Sequence, residues 1–552
     1  MTLTANSKGN KNMSSNINKF EQALKNTLND EISVTENLAC GYKTSGAKLL
    51  DINFAVSSLR SKSDGDISKM FSEAFYENPL LAVKWLFMLR DIRGNGMGER
   101  RSFRVCFKWL ATVRPELVQK LVKLVSEYGR FDDLFCLVTM KNDDKVNAEV
   151  LAVIDEQWAD DVKNMKDGKP ISLLAKWMPS VNTSSAATVK LAKYFCKELS
   201  LSEKQYRKTL AAMRKYLNVI EQKMSAKEWN AIDYEAVPSK ANIKYNAAFL
   251  RNDEVRRREF LGKLEKGEAK INSSANFPCD IVHAYAGKIG YDYYSRSSRY
   301  AVDPALEAMW KALPDYVKDL DNGSTIVVAD GSGSMCCRIG SGSMTALEVA
   351  NSLAIYFAEK LNGEFKNKYI TFSERPQYVD FSNAKSLVEK IGIALEHNEC
   401  ANTNVEAVFD LLLESAKRNQ LKQEDIPANI LIVSDMEFDQ GTSWSGCGYR
   451  YYDSVDSVNK YSAKRNALFE SIKNKWQSAG YMLPRLIYWN VNSRTGTIPL
   501  TQNEMGVALV SGFSPAIANM VFSAKLDPYE VLVEALNVER YAPIEAAIKD
   551  IL

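Results

Sequence analysis

Apolar positions recur at helical spacing, three and four residues apart, from about Asn18 to Leu320. The spacing predicts helices over 67–75, 79–89, 99–110, 115–128, 171–177, 186–199, 203–219 and 246–266. The segment 79–89 opens on Pro79, which suits a first helical turn, and is apolar nearly all round, so it should be buried. Three glycines in Arg90-Asp-Ile-Arg93-Gly94-Asn-Gly96-Met-Gly98 break it. No strand signal of comparable strength is present in this part. Helix after helix joined by short turns suggests an α-solenoid or an irregular bundle. No fixed-period repeat is evident.

From Ser324 the period changes. Short apolar runs at 325–330, 369–372, 430–434, 484–489 and 507–510 alternate with helical patterns at 346–361, 384–395, 405–418 and 463–479. This order predicts a mainly parallel, doubly wound sheet covered on both faces. The expected fold class is therefore α followed by α/β. The expected divisions are a disordered tail at 1–18, a helical region at 19–322 and an α/β domain at 323–552.

The chain has 552 residues, 46% hydrophobic and 25% charged, which fits a globular protein of two or three domains. No apolar run is long enough for a membrane span, and the polar start lacks the core of a secretion signal. Nine cysteines occur without C-x-x-C spacing, so reduced thiols and a cytoplasmic location are expected. The two histidines, His283 and His397, exclude histidine-rich metal sites by count. Net charge is +3, unevenly spread. There are 50 basic and 41 acidic residues up to 322, against 21 and 27 from Gly323 on. A basic first part points to an anionic partner, or to docking on the acidic second part.

The candidate chemistry centres on Ile326-Val-Val-Ala-Asp330-Gly-Ser332-Gly-Ser334. Asp330 ends a buried strand, and alternating hydroxyls follow on a glycine-rich turn. Hard oxygen ligands suit Mg²⁺, with Mn²⁺ or Ca²⁺ also possible. The same residues could be only a tight turn and a cap. Asp435 ends another strand, and Thr403, flanked by Asn402 and Asn404, precedes a helix. Ligands of such sheets sit at the carboxyl ends of strands, so three loops would offer oxygens at one edge. No G-x-x-x-x-G-K-[ST] phosphate cradle is present, and no serine nucleophile at Ser332 or Ser334 has a histidine companion in the sequence. Asp435, Glu437 and Asp439 could form a two-metal site, although Met436 and Phe438 alternate with them as packing residues. No catalytic residue is assigned. A second candidate is the arginine-rich junction of Arg90, Arg93, Arg100, Arg101 and Arg104, where a helix start and glycines favour an anion. Its structural alternative is a set of internal ion pairs with Asp91 and Glu99. Arg256-Arg257-Arg258 and 204–215 are further basic helical faces.

The order D-x-S-x-S, then a threonine at a helix start, then an aspartate after a strand, resembles a von Willebrand factor A (vWA) domain with a metal-ion-dependent adhesion site. The resemblance implies direct or water-mediated metal binding by Ser332, Ser334 and Thr403. Asp330 and Asp435 would hold waters, leaving one place for an acidic group of a partner. The stretches 89–100, 174–180, 434–439 and 487–490 resemble an uncharacterised family with helices ahead of a vWA-like domain. That family is similar in layout to the Ro (TROVE) proteins, whose HEAT-like helical ring binds RNA. The echo lies in 90–100 and 128–134. The resemblance implies a non-catalytic RNA-binding protein with one divalent cation. The alternative is a protein-binding assembly adaptor using the metal site, and the third reading is a metal-dependent hydrolase or nuclease.

Overall fold

The computed structural model describes residues 32–138, 144–286, 301–320, 324–440, 467–523 and 525–552. The tail expected at 1–18 and the start of the helix expected at 463–479 lie outside them. Helices succeed one another from Lys48–Phe54 to Pro304–Lys311. Local chemistry sets their starts. Ser63 accepts the Asp66 amide ahead of Asp64–Glu77, and Asn78 accepts that of Leu81 ahead of Pro79–Arg90. Pro79–Arg90 is buried from Ala82 to Arg90, with Trp85 stacked on Phe71 at 6.2 Å. The pattern over 246–266 belongs to two helices, Ser239–Asn252 and Glu254–Lys266, because Asp253 leaves helical geometry at φ −148°. Only Leu174–Trp177 is helical in 171–177; it ends where Pro179 holds Met178 at an extended ψ of 138°. The span 115–128 is interrupted by a 3₁₀ turn at Val122–Leu124.

The strands are β1 (Ile32–Val34), β2 (Cys40–Tyr42), β3 (Thr325–Asp330), β4 (Lys368–Phe372), β5 (Gln377–Asp380), β6 (Asn429–Ser434), β7 (Arg485–Asn490) and β8 (Val507–Ser511). Strands β3 to β8 form one sheet in the order β5-β4-β3-β6-β7-β8. Every neighbour is parallel except β5, which runs antiparallel to β4 at the edge. Both faces are covered, so β3, β7 and β8 are buried at every position. Adjacent strand residues point opposite ways. Trp489 meets Phe357 of helix Ala346–Lys360, and Tyr488 meets Phe469 of helix Leu468–Ser478. This is the doubly wound α/β architecture that the apolar runs imply.

The two ends of the chain cross over. The β1–β2 hairpin lies on the α/β part, where Tyr42 and Ile498 exchange backbone hydrogen bonds of 2.8 Å. Helix Lys48–Phe54 follows and reaches β7, with Asn490 Nδ2 donating to the Phe54 carbonyl at 2.7 Å. In return, the C-terminal helices Pro528–Leu536 and Ala542–Ile548 pack on Pro79–Arg90. The buried Lys84 ammonium donates to Asn537 Oδ1 at 2.9 Å and pairs with Glu545 at 2.5 Å. Among the described residues, no helix is long and apolar enough to cross a membrane.

Candidate metal centre

Strands β3 and β6 are paired in the register Ala329–Val433, so Asp330 and Ser434 reach the carboxyl edge together. The strand order reverses here, the usual ligand position of a doubly wound sheet. Asp330 is fully buried. Its Oδ1 accepts the Ser332 amide at 2.9 Å, and its Oδ2 accepts the Ser434 hydroxyl at 2.6 Å. The hydroxyls of Ser332 and Ser334 lie 3.0 Å apart. The turn needs its first glycine: a Cβ on Gly331 would stand 2.7 Å from Asn398 Oδ1 and 2.8 Å from Thr371 Oγ1.

The second loop is stitched to the first by backbone bonds of 2.9 Å, from the Gly333 amide to Ala401 and from the Cys400 amide to Gly331. Thr403 is buried. Its amide donates to Asp439 Oδ2 at 2.8 Å, and its hydroxyl oxygen accepts Asn37 Nδ2 at 3.2 Å. Asn404 Oδ1 is taken by the Ala407 amide at 3.2 Å, as a helix cap. Asn402 is exposed. Of these three neighbours, Thr403 is the one that offers a buried side-chain oxygen.

The third loop carries the decisive atom. Asp435 is fully buried; its Oδ1 accepts the Glu437 amide at 3.2 Å, whereas its Oδ2 is buried with no hydrogen-bond partner. The Arg494 guanidinium pairs with this Oδ2 at 3.5 Å. Burial pushes the Asp435 carboxyl up, the Asp330 charge pushes it further, and Arg494 partly offsets both. Asp330 is also pushed up, by burial first, while its bonds to Ser434 and Ser332 oppose the rise. Met436 follows in the left-handed region at φ +63°, a local strain held by its burial. Two interacting buried carboxylates, one with an unsatisfied oxygen, cost free energy that a divalent cation would offset. The residues therefore fit a hard cation. Among the described residues, no group of three or more His, Cys, Asp or Glu side chains could hold a metal ion, so a ligand set here would need other oxygens beside the carboxylates.

The three acids after β6 have separate roles. Glu437 is fully buried and saturated: Oε1 accepts the amides of Arg494 at 2.7 Å and Thr495 at 2.9 Å, and Oε2 accepts the Glu36 amide at 2.9 Å. It anchors the β1–β2 hairpin to the site. Asn37 reinforces this by donating to the Glu437 carbonyl at 2.7 Å. Asp439 holds the second loop through Thr403. The hairpin contribution was not legible in the sequence, because Glu36 and Asn37 lie some four hundred residues away in a segment too short to show a period.

The arginine junction is engaged internally. Arg90 is buried against Asp133 at 2.7 Å, and Arg104 reaches Asp132 and Asp133, both at 2.8 Å. Arg101 pairs with Asp64 at 2.5 Å, and Arg93 donates to the Ser126 carbonyl. Arg100 is exposed at the helix start. Asp91 accepts the Arg93 and Gly94 amides and the Arg540 guanidinium, and Glu99 pairs with Arg60 at 2.6 Å. In the run 256–258, Arg257 is buried against Asn246, while Arg256 and Arg258 pair with Asp253 and Glu254. A groove of about 750 Å³ is lined by Lys176, Lys223, Lys240 and Lys244 together with Glu221 and Asp233, and Lys240 pairs with Asp280. Lys176 and Lys244 lie over the rings of Trp177 and Tyr245, at 5.6 and 4.8 Å. His283 also has companions that sequence reading missed: Nδ1 lies 3.0 Å from Glu348 and Nε2 3.0 Å from Ser343 Oγ. Glu348 is at the same time the capping-box acid of helix Ala346–Lys360, so the histidine ties helix Pro278–Ala286 to that helix start.

A domain of unknown function, DUF2828, matches residues 35–167 and 148–324, more than half of the chain. The chain belongs to the DUF2828 family. A second domain of unknown function, DUF7788, matches residues 324–540, which hold all three loops of the centre. The chain is 28% identical over 540 residues to "Uncharacterized protein L728" of Acanthamoeba polyphaga mimivirus, covering 92% of this chain and 87% of that protein. The crystal structure of the RO (RSR) protein of Deinococcus radiodurans aligns with 91% of this chain and all of its own, at a TM-score of 0.43 and 12% identity.

Proposed function

We propose that this chain is a non-catalytic binding protein whose sheet edge holds one divalent cation, Mg²⁺ by preference. Asp330, Ser332, Ser334, Thr403 and Asp435 supply the oxygens, and the cation receives an acidic group from a protein partner. The reading rests on one observation: Asp435 Oδ2 is buried beside Asp330 without a hydrogen bond, with the Arg494 guanidinium at 3.5 Å, and the hydroxyls of Ser332 and Ser334 lie 3.0 Å apart on the first loop. A hard cation accepts such a mixed set of carboxylate and hydroxyl oxygens and can take a further acidic group as a ligand. Isothermal titration tests it. The reading expects Mn²⁺ or Mg²⁺ binding by the wild type and none by Asp330→Ala; equal binding by both refutes it.

RNA is proposed as the ligand of the helical part. The groove carrying Lys176 and Lys244 favours it, because lysines track phosphates. Filter binding with structured and single-stranded RNA, with and without EDTA, checks this. Retention should fall steeply with salt and survive EDTA. No retention at low salt refutes RNA binding, and metal-dependent loss of the RNA would indicate a nuclease.

A further inference from the structure

Two cysteines sit on the loops of the cation site and face each other. Cys336 lies two residues after Ser334, and Cys400 three residues before Thr403. Their Sγ atoms are 3.6 Å apart. Both reach solvent: Cys336 is exposed and Cys400 partly so, whereas Cys106, Cys196 and Cys279 are buried. The loops bearing them are already in register through the two backbone bonds between Gly333 and Ala401 and between Cys400 and Gly331. Cys337, next in sequence, turns away, with its Sγ 3.4 Å from the Arg494 guanidinium. Bringing two sulfurs from 3.6 Å to a bond of about 2.05 Å requires side-chain rotation and a small loop adjustment, not a refolded segment.

We propose that Cys336 and Cys400 form a reversible disulfide that locks the first loop of the cation site to the second. The oxidant is a hydroperoxide. The exposed Cys336, as thiolate, attacks one peroxide oxygen; an S–O bond forms, the O–O bond breaks, and the other oxygen leaves as an alcohol or water after taking a proton. The Cys400 sulfur then attacks the sulfenic sulfur. An S–S bond forms, the S–O bond breaks, and hydroxide leaves as water with the Cys400 proton. Two thiols lose two electrons and the hydroperoxide gains them. A dithiol reductant reverses the bond by exchange. The lock bears on the cation because Ser334 and Thr403 flank the two cysteines, and this consequence rests on the proposed cation site. Fixing both loops removes freedom that cation binding would otherwise have to restrict, so the oxidised chain should bind more tightly.

The test uses the full chain, reduced and then treated with stoichiometric hydrogen peroxide. Free thiols are blocked, and the protein is digested without reductant for mass spectrometry. The expected product joins the Cys336 and Cys400 peptides, two hydrogens lighter than their sum, and dithiothreitol reverses it. Because Cys336 and Cys337 share a peptide, the link should persist in Cys337→Ser and vanish in Cys336→Ser and Cys400→Ser. A link that persists in Cys336→Ser, or free thiols at both positions after treatment, overturns the disulfide. Mn²⁺ titration of the oxidised and reduced chains then reads the coupling, with an expected gain in affinity of roughly threefold on oxidation. Equal affinities overturn the coupling. A mapped disulfide with no Mn²⁺ binding by either form refutes the cation reading instead.

Discussion

Replacing Asp435 by asparagine separates a cation site from a merely buried turn. The substitution preserves shape and removes the charge on an atom that has no hydrogen-bond partner. Leaving a buried acceptor unsatisfied costs about 1–3 kcal/mol, and more when it is charged. In the cation-free protein, burial raises Asp330 to about 6 and Asp435 to about 8, with Asp330 adding to the rise at Asp435. The sign follows from the raised values. A carboxyl raised in the folded state stabilises the fold fully below its unfolded value and loses that contribution as pH climbs through the folded value. In EDTA the wild type should therefore weaken relative to Asp435→Asn between pH 6 and 8, by up to about 1.4 kcal/mol per pH unit for each proton released. At pH 8 the variant should be the more stable by about 1–3 kcal/mol, at about 2–4 °C per kcal/mol for a unit of this size. Excess Mn²⁺ should raise the wild-type midpoint, increasingly with pH because the cation displaces protons, and leave the variant unmoved. Thermal unfolding followed by circular dichroism at pH 6, 7 and 8 reads all of this. A difference between wild type and variant that is flat with pH, or an equal Mn²⁺ response in both, refutes the reasoning.

Glu437→Ala removes a buried acid that accepts the Glu36, Arg494 and Thr495 amides; it should cost about 3–5 kcal/mol and expose the segment before Tyr42 to protease, as urea unfolding and limited proteolysis would read. A variant as stable and as resistant as wild type contradicts the anchoring role. Arg90→Met removes one of the two guanidiniums on buried Asp133, which keeps Arg104 at 2.8 Å, and should cost about 1–3 kcal/mol in urea. Loss of RNA retention at unchanged stability would instead make Arg90 a phosphate ligand. The double substitution Lys176→Ala and Lys244→Ala should leave the melting midpoint in place and lower the salt slope of RNA retention by about 1–2; an unchanged slope excludes the groove.

The sheet was legible because its strands are buried on both faces and read as unbroken apolar runs, as Ile430 to Val433 do. β5 was not, since an edge strand of four residues with Tyr378 exposed lacks that signature. Asp330 and Asp435 could be placed at one edge because strand ends converge in this topology, whereas Thr403 lies between helices Leu387–Glu396 and Glu406–Arg418. The hairpin contribution of Glu36 and Asn37 could not, because pairing across the whole chain leaves no local trace. The arginines around Gly94 show the opposite limit. Charge and glycine content announced a special junction, but Asp132, Asp133 and Arg540, which occupy it, lie in other segments. The thiol pair was equally hidden: Cys336 and Cys400 are sixty-four residues apart and meet because the loop after β3 is hydrogen-bonded to the loop between helices Leu387–Glu396 and Glu406–Arg418.

The central claim is that one hard cation sits where the β3 and β6 loops meet the Thr403 loop. Crystals grown with Mn²⁺ and measured at its absorption edge test this most directly, by an anomalous difference map. The account predicts a single strong peak at the carboxyl edge of β3, bounded by the Ser332, Ser334 and Thr403 hydroxyls and facing Asp330 and Asp435. An edge without a peak in crystals grown with Mn²⁺, with Arg494 still beside Asp435, would contradict it.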